Sequence, residues 1–431
     1  MLDAVVQQTR SLRGVTKVPG DKSISHRAVI IGALAEGETI IENFLAADDC
    51  LATVRCMRAL GAQVEGPDNG RVLVRGSGLQ GLREPEDVLD AGNSGTTMRL
   101  LLGMLAGQPF FSVLTGDTSL RRRPMRRVTD PLRQMGATIL GRGDASFAPL
   151  AVRGRPGLRS LRYTSPVPSA QVKSAILLAG LYAEGYTSVT EPVRSRDHTE
   201  RMLGEFGAEI QVDGNTVTVK GRPRLKGKKI TVPGDISSAA FLLAAALILP
   251  DADITITGVG LNPTRTGIID VFKSMGGDIE LFATQETGRE PVGNIRVRSS
   301  RLVGTTIDGS IVPRLIDEIP VLAVVATLAE GVTVICGAEE LRVKESNRLQ
   351  ALATELARFG ADITEMPDGL IIRGRATLQG ATVESYGDHR IAMALAVAGL
   401  AAQGTTTIRG AECVNISFPG FFEVLDLLRP Q

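Results

Sequence analysis

Six copies of one pattern run along the 431 residues, and a chain built that way has few folds open to it. An apolar helical run closes near a glycine and passes into a strand rich in Thr, Val and Ile. The first three copies read AVIIGALAEGETIIENF at Gly37, MRLLLGMLAGQPFFSVLTG at Gly107 and AILLAGLYAEGYTSVTEP at Gly185. The others are AAFLLAAALILPDADITITG near Asp251, VLAVVATLAEGVTVICG at Gly331 and AMALAVAGLAAQGTTTIRG at Gly404. A second helix follows each time, closing in RALGAQV, RQMGATI, GEFGAEI, KSMGGDI or ARFGADI, and the sixth, FFEVLDLL, has no strands after it.

The first helix of each copy is apolar nearly all round, which predicts burial inside a domain. The second helices are amphipathic, as Leu349, Leu352, Leu356 and Phe359 illustrate. Glycine at each helix end is expected to act as a left-handed C-cap. Six units of about 72 residues suggest an α/β protein of two inside-out domains, each of three repeats with buried helices and outer sheets. Residues 21–233 hold repeats one to three; residues 234–431 hold repeats four to six, completed by an N-terminal strand within residues 1–20. The matching VPGD segments, Val18 to Asp21 and Val232 to Asp235, are the expected crossovers, near 19–21 and 232–235.

Charge and composition remove several function classes. Lys plus Arg total 48 against 47 Asp plus Glu, so no global field draws the chain to nucleic acid or an anionic membrane. Aromatics are 4% with no Trp, too few to stack single-stranded bases along a groove. The four cysteines fit neither a zinc nor a redox spacing, and three scattered histidines, His26, His198 and His389, make no metal set. No apolar stretch is long enough to span a membrane, and no leader is visible, so a cytoplasmic protein is expected. GxxxxGK[ST], GxGxxG and GxSxG fingerprints are all missing.

Chemistry collects at the helix starts. If the buried helices of a domain begin at one end, their free N–H groups and dipoles favour anions there. The residues found at those starts are Lys22, Ser23 and Arg27; Asn93 to Thr97 with Arg99; and Ser169, Ala170, Gln171 and Lys173. Asp317 and Glu318 open the fifth copy, and Asp388, His389 and Arg390 the sixth. The second helices add Arg123, the RDHTE run from Arg196, and Lys344, Glu345 and Arg348. Ser23, Thr96 and Ser169 taken singly read equally well as N-caps. Asp317 and Glu318 lie between Leu315, Ile316 and Ile319, where a buried carboxylate is a general acid or base candidate.

Several segments closely resemble the 5-enolpyruvylshikimate-3-phosphate synthase family. They include VPGDKSISHRA at Val18, AGNSGTTMRL at Ala91, GDTSLRRRPM at Gly116 and PSAQVKSAILLAGL at Pro168. RDHTE at Arg196, NPTRTG at Asn262, IDEIP at Ile316, ELRVKESNRL at Glu340, YGDHRIAMA at Tyr386 and SFPGF at Ser417 follow in family order. AQVKSAILLAG, RDHTE and ELRVKESNRL look most like the second bacterial subgroup. The resemblance implies transfer of the enolpyruvyl group of phosphoenolpyruvate to the 5-hydroxyl of shikimate 3-phosphate, with no metal or organic cofactor, in a monomer. Carried over, Lys22, Ser23, Arg27, Ser169, Ala170, Gln171, Arg196, Asp317 and Lys344 would hold shikimate 3-phosphate. Lys22, Gly95, Arg123, Gln171, Arg348 and Arg390 would hold phosphoenolpyruvate, and Asp317, Glu345 and Lys22 would move protons.

The chain departs from the better-known subgroup at two places. Ile416 replaces a lysine near phosphoenolpyruvate, and Leu100 replaces a proline found in many glyphosate-sensitive members. Gly95 keeps the small residue that the resemblance associates with glyphosate as an inhibitor. Two other readings compete. The sister UDP-N-acetylglucosamine enolpyruvyl transferase uses a loop cysteine, which GDTSLRRRPM lacks. A non-catalytic repeat scaffold would not need charged groups to recur at helix starts.

Overall fold

The computed structural model describes residues 3–430. Its helices are α1 (Lys22–Leu34), α2 (Asp48–Ala59), α3 (Gly95–Ala106), α4 (Arg126–Gln134), the short turn α5 (Arg142–Ala145), α6 (Ala170–Gly180) and α7 (His198–Glu205). They continue with α8 (Ile236–Ile248), α9 (Gly267–Ser274), α10 (Ile319–Leu328), α11 (Arg348–Arg358), α12 (His389–Ala401) and α13 (Phe421–Leu428). The apolar runs are α1, α3, α6, α8, α10 and α12, buried over nearly their whole length. The amphipathic ones are α2, α4, α7, α9, α11 and α13.

The chain divides into two compact units. One comprises the residues up to Pro19, Pro233–Glu286 and those from Pro291 onward; the other comprises Gly20–Val232 with Thr287–Glu290. The tip of the Asp278–Thr287 and Glu290–Arg298 hairpin thus goes with the second unit. Each unit has its own apolar core, lined by its three buried helices. Backbone packing is close where a glycine permits it. A methyl group on Gly103 of α3 would stand 2.2 Å from the carbonyl oxygen of Ala175 in α6.

Among the described residues, six small sheets flank these helices and repeat one plan. In the first, Glu36–Glu42 pairs parallel with Lys229–Thr231 and antiparallel with Arg71–Ser77, which pairs in turn with Gln63–Asp68. The same order recurs in the fourth repeat, where Arg13–Thr16 is the parallel edge beside Asp253–Gly260. The strand before each crossover therefore completes a sheet of the unit on its own side of the division. In the sixth repeat Thr405–Arg409 lacks a hairpin to follow it, and Ala4–Gln7 takes the antiparallel place. Small-residue packing also repeats, since a methyl group on Gly32, Gly180 or Gly399 would stand only 3.1, 2.9 or 3.0 Å from the Cβ of Thr39, Thr187 or Thr406.

The expectation of a left-handed glycine cap at every helix end needs correction. It holds for five of the six amphipathic helices, where Gly61, Gly136, Gly207, Gly276 and Gly360 have positive φ, while α13 closes on an extended Arg429. The next N–H in each case reaches back five residues, as Ala62 does to the carbonyl of Met57 at 3.0 Å, the Schellman arrangement. The buried helices end differently. α1, α8, α10 and α12 close on an extended residue, α3 and α6 on a right-handed one, and Gly107 itself has φ of −92°. Gly37, Gly185, Gly331 and Gly404 are left-handed but lie at the lead into the strand.

Candidate active site

In the unit formed mainly by Gly20–Val232, three helix N-termini carry the polar residues. Asp21 caps α1 through Ile24 N, Ser94 caps α3 through Thr97 N, and Ser169 caps α6 through Val172 N. Capping thus accounts for Ser169 but not for Ser23 or Thr96. Lys22 Nζ lies 2.8 Å from Asp49 Oδ2, so the first residue of α1 is tied to α2. Arg27, one turn further on, is buried. Its Nε donates to Thr199 Oγ1 at 2.6 Å, Nη2 to Ser174 Oγ at 2.8 Å and Nη1 to the Ser23 carbonyl at 2.9 Å. Burial, against the pull of Glu200 and Asp21, brings Arg27 down to about 10, which leaves it charged at neutral pH. Arg196, between the Tyr186–Thr190 strand and α7, also weakens the Arg27 charge by its own.

The start of α3 gathers a second set. Arg123, buried after the turn Leu120–Arg122, donates from Nη2 to Asn93 Oδ1 at 2.6 Å and Ser119 Oγ at 3.3 Å. A Cβ on Gly95 would stand 2.6 Å from Arg99 Nη1 and 3.4 Å from Arg123 Nη1. Gly95, Arg99 and Arg123 therefore converge on one small space. Gln171 of α6 joins them, accepting from Arg99 Nη1 at 2.7 Å and donating to Thr96 Oγ1 at 2.9 Å. Ala170 is the first residue of α6, where N–H groups have no helical acceptor. Guanidinium groups and helix starts placed together in this way suit an anion.

The other unit holds the carboxylates. Asp317 precedes α10 and is 9% exposed, Glu318 caps no N–H and is fully buried. Arg348 opens α11, 1% exposed, with three carboxylates around its fork. Its Nη1 is 3.3 Å from Asp317 Oδ1, its Nη2 2.6 Å from Glu345 Oε2, and its Nε 2.9 Å from Asp388 Oδ2. Burial opposes that charge, but Asp388, Glu345 and Asp317 outweigh it and raise the pKa above the ordinary arginine value. Lys344 Nζ stands 3.6 Å from Asp317 Oδ1, and Arg390 Nη2 3.8 Å from Asp317 Oδ2. Arg390 Nη1 also donates to the Asp317 carbonyl at 3.2 Å. Glu318 accepts from Ser237 Oγ, which accepts in turn from the buried Arg265 at 2.6 Å.

The residues expected at the site thus fall into two sets. Lys22, Ser23, Arg27, Gly95, Arg123, Ser169, Ala170, Gln171 and Arg196 belong to one unit; Asp317, Lys344, Glu345, Arg348 and Arg390 belong to the other. Asp49, which orients Lys22, carried no signal beyond the acidic pair that opens α2, and Asn93 none beyond its place before α3. Ile416 lies in the turn Ala411–Ile416, packed against the apolar core of its unit. No helix among the described residues is long and apolar enough to cross a membrane.

Comparison with known proteins gives this arrangement a family. Residues 6–425 match the family described as EPSP synthase (3-phosphoshikimate 1-carboxyvinyltransferase). The 3-phosphoshikimate 1-carboxyvinyltransferase of Pelotomaculum thermopropionicum is 64% identical over 98% of both chains, and that of Gloeobacter violaceus 58% over 99% of both. The EPSP synthase structure from Acinetobacter baumannii superposes with a TM-score of 0.89 at 46% identity, covering 99% of this chain and 98% of that one. The enolpyruvyl transferase NikO from Streptomyces tendae shares the fold, with a TM-score of 0.80 at 20% identity over 98% of this chain and 96% of that one. The chain belongs to the EPSP synthase family and is an enzyme of the 3-phosphoshikimate 1-carboxyvinyltransferase class.

Proposed function

We propose that residues of each set serve the reaction of this enzyme class, the transfer of the enolpyruvyl group of phosphoenolpyruvate to the 5-hydroxyl of shikimate 3-phosphate in the shikimate pathway to aromatic amino acids. The observation that carries this reading is the Arg348 fork, which holds Asp317 and Glu345 within reach of one cation. Lys22, Ser23, Arg27, Ser169, Ala170, Gln171, Arg196, Asp317 and Lys344 are the groups assigned to shikimate 3-phosphate. Lys22, Gly95, Arg123, Gln171, Arg348 and Arg390 are assigned to phosphoenolpyruvate, whose planar carboxylate and tetrahedral phosphate suit forked guanidinium donors.

The reaction needs one proton moved onto carbon and one taken from oxygen. Glu345 gives a proton to the methylene carbon of phosphoenolpyruvate while the acceptor's 5-hydroxyl oxygen bonds to the adjacent carbon and Asp317 takes its proton. The tetrahedral intermediate then returns a methyl proton to Glu345, the carbon–oxygen bond to phosphate breaks, and Lys22 delivers a proton to the leaving group, a loss matched by the proton that Asp317 took from the hydroxyl. Atoms balance as one enolpyruvyl ether and one inorganic phosphate, with no redox change. The sister sugar-nucleotide transferase is disfavoured by the family match. The scaffold reading leaves the buried Arg348 cluster without a purpose.

Glyphosate, as an anionic analogue, is expected to compete at the Gly95 and Arg123 site. We also assign the protein to the cytoplasm, on the sequence reading above, and to a monomeric state, on the family resemblance alone. The product itself tests the function. Proton and phosphorus magnetic resonance of the protein with both substrates should show the vinyl protons of a new enol ether as inorganic phosphate grows. An unchanged spectrum would refute the assignment.

A further inference from the structure

Lys173, in the second turn of α6, is 1% exposed and has two carboxylates on its ammonium. Glu191 Oε2 is 3.0 Å away and Glu200 Oε1 2.9 Å, and the Ser195 carbonyl accepts from the same nitrogen at 3.4 Å. Both glutamates are buried. Burial disfavours the Lys173 charge, but Glu200 and Glu191 outweigh it and push its pKa up. All of these groups lie in the unit that also contains Arg27.

Glu191 does more than neutralise the lysine. Its Oε1 accepts from Ser169 N at 2.8 Å, and its Oε2 from Ser195 N at 3.2 Å and Ser195 Oγ at 2.8 Å. Its own N–H is anchored on the Asn215 carbonyl at 3.0 Å. One carboxylate therefore joins the N-cap of α6 to the residue immediately before Arg196. These are the two segments assigned above to shikimate 3-phosphate.

Stability alone is a poor reason for this cluster. A buried ion pair is often no better than apolar residues of the same volume, because desolvating the charges costs several kcal/mol. Its hydrogen bonds, by contrast, act on the backbone of the residues that present Ser169 and Arg196. Two carboxylates and one ammonium leave one negative charge, and Glu200 acts favourably on the nearby Arg27.

We infer that Glu191, seated on Lys173, is a positioning residue for the phosphate of the acceptor, acting through Ser169 and the Ser195–Arg196 segment. The inference rests on the substrate assignment proposed above. Glu191→Gln is close to isosteric, but it turns an amide N–H₂ toward a backbone N–H and removes the charge facing Lys173.

The test is steady-state kinetics of wild type and Glu191→Gln with shikimate 3-phosphate and with unphosphorylated shikimate. The variant should raise KM for shikimate 3-phosphate about tenfold or more, while KM for phosphoenolpyruvate stays within about twofold. Its preference for the phosphorylated acceptor should fall by a similar factor. Glu191→Asp, which restores the charge on a shorter stem, should recover part of that preference. Equal losses for both acceptors, or no loss, would overturn the inference. Should Glu191→Gln fail to fold, Ser195→Ala removes only one of the three hydrogen bonds and reads the same ratio. A fall of at least about threefold is expected there, and an unchanged ratio overturns the inference. Wild type acting on shikimate 3-phosphate with variants unchanged would sink the positioning role alone; wild type inactive with it would take down the substrate assignment as well.

Discussion

Arg348 Nη1 lies 3.3 Å from Asp317 Oδ1, and the same guanidinium reaches Glu345 through Nη2 at 2.6 Å. The two carboxylates proposed above for opposite proton transfers therefore share one cation. Asp388 completes the arrangement from the N-cap of α12 and holds the guanidinium through Nε at 2.9 Å.

Replacing Arg348 should be far more damaging than a surface charge change. Arg348→Lys keeps the charge but cannot span three carboxylates, and a loss in kcat/KM of at least about 100-fold is expected. Arg348→Met leaves the buried acids uncompensated and should cost about 3–5 kcal/mol of stability in urea unfolding. A lysine variant with near wild-type kcat/KM would contradict the role given to the fork.

Asp49 should matter through Lys22. Asp49→Asn preserves shape but loosens the 2.8 Å contact. A fall in kcat of about tenfold with a smaller change in KM for either substrate is expected if Lys22 serves proton transfer. An unchanged kcat would remove Lys22 from that step.

The expectation about Gly95 now has a geometry. A methyl group there would meet Arg99 Nη1 at 2.6 Å and Arg123 Nη1 at 3.4 Å. Arg99 is flexible enough to yield, at the expense of its bond to Gln171. Gly95→Ala should raise KM for phosphoenolpyruvate by up to about tenfold and weaken glyphosate by a larger factor, since the longer ligand has less freedom to shift. Inhibition and kinetic assays giving equal factors would contradict this.

His26 supplies a pH dependence of stability. Burial, then Lys22 and Arg27, hold its pKa well below 6.5, and Nε2 has no hydrogen-bond partner among the described residues. Nδ1 shares a 2.6 Å hydrogen bond with Thr53 Oγ1, itself 2.7 Å from Thr97 Oγ1. Below pH 6.5 the unfolded chain takes up a proton that the folded chain refuses. Stability is therefore lost as pH falls from 6.5 toward the depressed folded value, by about 1 kcal/mol between pH 7.5 and 5.5 from this group. Denaturant unfolding of His26→Gln should lack that increment, and an identical acid slope in the variant would refute the assignment.

Much of the fold is written locally. The period of the apolar runs predicts which six helices are buried, and α8 and α10 have hardly a polar position on any face. The glycine caps were legible where the chain reverses after an amphipathic helix, as at Gly61, and misleading after a buried one, as at Gly37. The same residue type serves both places, and only the path of the following strand separates them. At the site, cations and carboxylates at helix starts were visible as types. Their partners were not, because the Lys22–Asp49 pair joins residues 27 apart and the Arg348–Asp388 pair residues 40 apart. Glu191 gave no sign, sitting after a strand with a bond to Ser169 that only the folded chain creates.

Phosphate release is the most direct measurement of the central claim, made with phosphoenolpyruvate and either shikimate 3-phosphate or UDP-N-acetylglucosamine, on wild type and Asp317→Ala. Stoichiometric release with shikimate 3-phosphate only, abolished in the variant, is the predicted result. Release with the sugar nucleotide instead, or undiminished release from Asp317→Ala, would contradict it.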